Sequence, residues 1–200
     1  MRARTGGALA FLLLCAMLLP APARSQATGM EDLCRLHGIA GEEDLSRIRV
    51  VYVEAVQAGI PEEELLPFLE DILRHKLDCG QMVRVLSVTT RLRKEDLPYA
   101  VVFSKVREGV FKEAQPALVV EAAESKFKSL SASRDVLESL RFLGYAARDP
   151  MQASIVVSSY IEKGYTPEEI VTRIRNKGAQ GAGFPALAGI LEKPMKRKDR

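Results

Sequence analysis

From Leu45 to Ile174 the apolar residues recur at a helical period, and no segment shows the sustained period-2 alternation of a half-buried strand. Leu45, Ile48, Val51, Tyr52, Ala55 and Val56 fall on i, i+3, i+4, i+7 spacing. Leu65, Phe68, Leu69, Ile72 and Leu73 form a second stripe, expected to end near Gly80. Met82, Val85, Leu86 and Leu92 predict a third helix, and Val101, Val102, Val106, Val110 and Phe111 a fourth. A fifth pattern, Leu118, Val119, Ala122, Ala123, Phe127 and Leu130, continues through Val136, Leu137, Leu140 and Leu143 and reads as one long helix reaching Gly144. Two further stripes are Ile155, Val156, Tyr160 and Ile161, then Ile170, Val171 and Ile174. The chain is therefore expected to be all-α.

The punctuation sets the topology. Helices start after proline and stop at glycine, the asymmetry of first-turn and C′ positions. Gly59, Gly164 and Gly178 follow three stripes, and Asp149-Pro150 offers a cap and a first-turn proline. Thr166-Pro167-Glu168-Glu169 has the form of a capping box. Short links between amphipathic stripes imply antiparallel helical hairpins, either as a bundle or as a short α-solenoid-like array. Gly59-Ile60-Pro61-Glu62-Glu63 echoes Gly164-Tyr165-Thr166-Pro167-Glu168-Glu169, with Asp96-Leu97-Pro98 as a degenerate third copy. Spacings near 35 residues suit a repeat, though the same residues are good helix punctuation anywhere. Pro67 predicts a kink, or a helix start nearer Leu66.

Ahead of this body, Arg2 and Arg4 precede an apolar run from Ala8 to Leu19 that Pro20 ends. Small residues follow, so 1–27 reads as a signal peptide cleaved after Ala27, with Ala23 the alternative. The run is shorter than the roughly 20 residues a membrane span needs, and no transmembrane anchor is expected. Cys15 lies mid-run behind Leu14, against a lipoprotein signal. Export places the chain in the periplasm or outside the cell. Residues 28–178 are the expected hairpin domain, followed by a Gly-rich link and basic tail over 179–200.

The whole chain has 29 basic and 26 acidic residues; without the arginines of the leader, 26 face 26. A balanced charge excludes the basic footprint of a general nucleic-acid binder. Lys193, Lys196, Arg197, Lys198 and Arg200 in the tail could touch an anionic surface or simply fray in solvent.

Few residues carry chemistry. Outside the leader the cysteines are Cys34 and Cys79, a disulfide candidate in an oxidising compartment. Cys34-x-x-His37 with His75-x-x-x-Cys79 is the alternative, a structural zinc set if the helices converge. Serines at Ser129, Ser131, Ser133, Ser158 and Ser159 lack a nucleophile motif with either histidine. The acidic pairs fall in first turns or on polar faces, where the helix dipole and solvent account for them. No catalytic residue and no cofactor is assigned.

Lys105-Val106-Arg107-Glu108-Gly109, then Lys112 and Pro116, with Leu97-Pro98 upstream, resembles uncharacterised exported bacterial helical-hairpin proteins. Their units read G-L-P, helix, K-V-x-E-G-x-x-K-G, Pro, helix. The resemblance runs from about Gly59 to Gly178 and departs from the pattern at Asp96 and Glu113, where glycine is usual. It implies the architecture and no activity. The leading expectation is a non-enzymatic binding or scaffolding module of the cell envelope with protein partners. The second is a carrier of an apolar ligand held between hairpins.

Overall fold

The computed structural model describes residues 23–145 and 147–177; residues 1–22, Ala146 and residues 178–200, with the Gly-rich link and basic tail, lie outside them. Eight helices form among the described residues: α1 Ala23–Leu36, α2 Glu42–Gln57, α3 Glu62–Arg74, α4 Cys79–Lys94, α5 Ala100–Phe111, α6 Pro116–Phe142, α7 Pro150–Glu162 and α8 Pro167–Lys177. None is long and apolar enough to cross a membrane. The fold is all-α, and the long helix expected through Val136 and Leu140 is α6. Asp149 accepts from the Gln152 amide at 3.0 Å, and the Thr166 box closes through both its bonds, Thr166 N–H to Glu169 at 2.9 Å and Glu169 N–H to Thr166 at 3.2 Å.

Helices pack on the second neighbour as well as the first. α2, α4, α6 and α8 stack as one layer, and α1, α3 and α5 as another, with α7 laid along α6. This alternation is that of a short α-solenoid, in which each helix pair closes its apolar face against the next. The polar links keep the same step. Glu54 pairs with Lys94, Asp71 with Arg107, Arg84 with Glu124, Glu95 with Arg134 and Lys126 with Glu162, all across separations of 36 to 40 residues. Most of these pairs are half in solvent, so each contributes little energy and fixes register instead.

Every link from α1 to α8 is built the same way. Gly38, Gly59, Lys76, Asp96, Glu113, Gly144 and Gly164 all take positive φ, between 52° and 92°. After each, the next amide reaches back to the last turn, as Leu97 N–H does to the Leu92 carbonyl at 2.8 Å and Tyr145 N–H to Leu140 at 3.0 Å. These are Schellman ends, and their following residues are Ile39, Ile60, Leu77, Leu97, Ala114, Tyr145 and Tyr165, which turn apolar groups back onto the helix. The second stripe does not run to Gly80. It ends at Arg74 with Lys76 in the left-handed position, and Gly80 lies inside α4, whose start is set by an Asp78–Gln81 capping box. Pro67 lies inside α3, which starts at Glu62 rather than near Leu66; its ring leaves the Glu63 carbonyl without a helical donor.

Two cores share α6. The first runs from Met30 to Leu130 and includes the stacked Phe68 and Phe103 rings, 3.9 Å apart. The second joins Val136 and Leu140 to Ala153, Val157, Tyr160, Ile170 and Ile174. Phe111 and Leu118, expected in core stripes, are instead exposed, and Phe142 is 92% exposed at the end of α6.

Candidate functional site

α6 has 27 residues against 16 in α4, the helix beside it in the same layer. At about 1.5 Å per residue it is about 16 Å longer. Arg134 Nη1 meets Glu95 Oε2 at 3.0 Å, level with the end of α4, so the turns from Asp135 to Phe142 overhang. Below that overhang α7 begins only at Pro150, after the link from Leu143 to Asp149. A cleft of about 630 Å³ opens there.

The cleft is lined by the α4–α5 turn (Glu95, Asp96, Leu97), by Arg134, Leu137, Glu138, Leu140 and Arg141 of α6, and by Tyr145, Ala147, Pro150 and Ser154 beyond it. Leu97, Leu140 and Tyr145 are buried and make an apolar floor. Two of these are the apolar residues that follow left-handed helix ends, so the same motif that closes each helix also lays the floor. The carboxylates Glu95, Asp96 and Glu138 share the lining with the guanidinium groups of Arg134 and Arg141, and Arg134 is bridged to Glu95. An apolar floor with mixed charges above it suits a polypeptide segment better than a single-sign ligand.

A second polar cluster joins α6 to α7. The Lys126 ammonium is buried and donates to Glu162 at 2.9 Å and to Ser158 at 3.3 Å, while Ser129 donates to the same carboxylate at 2.8 Å. Ser158 gives its own proton to the Ile155 carbonyl at 2.9 Å, so its hydroxyl is engaged on both sides. Ser133 and Ser159 likewise donate to carbonyls of their own helices, Leu130 at 2.6 Å and Val156 at 2.7 Å. The arrangement is a clamp between helices. Neither histidine enters these contacts: His75 bonds the Ala114 carbonyl at 2.6 Å, and His37 ends α1.

The cysteines correct the disulfide expectation. Both are free thiols: Cys34 Sγ lies 3.7 Å from Met30 Sδ, and Cys79 Sγ donates to the Asp44 carbonyl at 3.7 Å. Each sulfur is turned toward a neighbour of its own. Burial, with a smaller contribution from Cys79, pushes Cys34 up to about 11. Burial and then the bond to Asp44 push Cys79 up to about 11 as well, overriding the usual lowering at a helix N-terminus. The zinc set Cys34, His37, His75, Cys79 is not assembled either. Among the described residues no three or more metal-binding side chains converge, and His75 is committed to Ala114 across the array. Ala27, the expected cleavage point, lies within α1. Lys193, Lys196, Arg197, Lys198 and Arg200 lie outside the described residues.

The cleft itself had no sequence signal beyond the length of the fifth stripe. Leu97-Pro98 and Gly144 marked its two walls as links, but only the overhang turns them into a site. No family model matches the chain, and no curated protein or solved structure matches it.

Proposed function

We propose that this chain is an exported, non-enzymatic binding or scaffolding module of the bacterial cell envelope, and that its partner is a protein. The observation carrying this reading is the cleft beneath the α6 overhang, where Leu97, Leu140 and Tyr145 form a floor under charges of both signs. Stacked helix pairs give the surrounding surface rigidity and length, the properties that let solenoids hold extended partners. The partner segment has an apolar residue for the floor and flanking charges opposite in sign to Arg141 and Glu138.

A photo-crosslinking side chain at Leu137 tests this in cells, with Arg47 on α2 as the control position. A protein adduct formed at Leu137, absent at Arg47 and reduced in Arg141→Glu, supports the reading. Saturable turnover by the purified protein, abolished by substituting a carboxylate or His75, overturns it. Native mass spectrometry that finds a retained lipid transfers the floor to the second reading, a carrier of an apolar ligand.

A further inference from the structure

Two charged side chains are buried among the described residues, Lys126 and Arg173. Lys126 has Glu162 at 2.9 Å. Arg173 is only 7% exposed, and its Nε, Nη1 and Nη2 meet no hydrogen-bond acceptor among the described residues. Buried polar groups are nearly always paired, and arginine keeps its charge where a lysine or histidine would give up a proton. The burial therefore calls for a counter-charge.

The register of the array leaves Arg173 without one among the described residues. Arg173 lies on the stripe of α8 that carries Ile170 and Ile174 into the second core, and α8 packs on α6 and α7. Elsewhere an ion pair spans 36 to 40 residues. The same step back from Arg173 falls on 133–137 of α6, where the one carboxylate is Asp135. That side chain is 72% exposed and lies 4.0 Å from Arg134.

We propose that Arg173 is the receptor of an oxyanion site at the α8 edge of the second core. Its ligand is the two-oxygen edge of a carboxylate or a phosphate, held bidentately by Nε and Nη2 as a guanidinium fork prefers. The site is separate from the cleft, whose lining does not include Arg173.

The test is a thermal titration of the purified chain with inorganic phosphate and, separately, with acetate, at ionic strength held constant with sodium chloride. The expected result is a saturable rise in Tm with at least one anion, roughly 5–10 °C at about a hundred times Kd. The arm that responds at lower concentration distinguishes phosphate from carboxylate. Arg173→Met removes the saturable part and leaves the small linear increase that phosphate gives any protein. Arg173→Lys keeps the charge but not the fork, and weakens binding about tenfold or more. The proposal is overturned if wild type shows no saturable rise with either anion. It is equally overturned if Arg173→Met, folded by circular dichroism, retains that rise. The wild-type titration decides the matter even where a variant does not fold.

Discussion

Replacing Lys76, Asp96 and Glu113 by glycine should stabilise the protein. All three sit at C′ positions with φ of 58°, 53° and 52°, where four of the other links have glycine. A side chain in the left-handed region costs roughly 1–2 kcal/mol, and glycine returns about 0.5–1 kcal/mol of that through the freedom of its unfolded chain. The net gain is about 1 kcal/mol each at Lys76 and Glu113. It is nearer 0.5 kcal/mol at Asp96, because aspartate tolerates this conformation better. Asp96 lies on the opposite edge from the other two and should add independently. Lys76 and Glu113 flank the His75–Ala114 bond, so their pair is where additivity is at risk. The triple variant should gain about 2–2.5 kcal/mol, raising Tm by roughly 4–10 °C. Urea unfolding checks this, with the midpoint rising and the slope unchanged. The reverse exchange is the control: a Cβ added at Gly144, φ 85°, meets nothing within 4 Å, so Gly144→Ala should lose about 1 kcal/mol through backbone strain alone. If the three glycine variants leave the midpoint unmoved while Gly144→Ala lowers it, the side chains of Lys76, Asp96 and Glu113 make compensating contacts and the strain argument is wrong.

Gly109 makes a different prediction. A Cβ there would stand 2.9 Å from Val119 Cγ2, so Gly109→Ala should cost about 1–3 kcal/mol by urea unfolding, and adding Val119→Ala should recover part of it. Phe68→Ala removes a fully buried ring stacked on Phe103 and should cost about 3–5 kcal/mol. Lys126→Met with Glu162→Gln forms a double-mutant cycle; because Glu162 is 38% exposed, the coupling should be about 1–2 kcal/mol, below that of a fully buried pair. Both thiols are raised in the folded state, which binds more protons than the unfolded chain between about 9 and about 11. Stability should therefore be present below pH 9 and decline as pH rises through that window, less so in Cys34→Ser with Cys79→Ser. Alkylation of the native protein at pH 8 should be slow for the same reason; rapid labelling of Cys34 would contradict its burial.

The helical texture was legible because amphipathic spacing survives any arrangement of helices. Layering was not, since Val51 or Leu86 reads as apolar whether it faces a bundle or a stack. Gly59, Gly144 and Gly164 mark three of the helix ends in the sequence, but nothing in Lys76 or Glu113 announces a left-handed residue, which is why the second stripe reads on toward Gly80. Asp96 and Glu113 both take the conformation glycine favours, with nothing in either residue type to announce it. Exposure of Phe111 and Leu118 follows from their places at the two sides of one link, beyond the reach of a neighbouring helix. The cysteines and histidines looked like a set because spacing along a helix says nothing of direction across it. Arg173 had no signal at all: its burial depends on α8 meeting α6, and an arginine two residues from Arg175 reads as surface.

Because one continuous helix carries side chains of both cores, neither half can come apart alone. Opening the second core would strand Val136 and Leu140 in water on a helix still held by Val119, Val120 and Leu130. Opening the first would remove the support on which α7 and α8 rest. A break within α6, at Ala132 for instance, would convert one cooperative transition into two. The backbone amides midway along α6 should consequently be the last in the molecule to exchange with solvent, since only global unfolding exposes them.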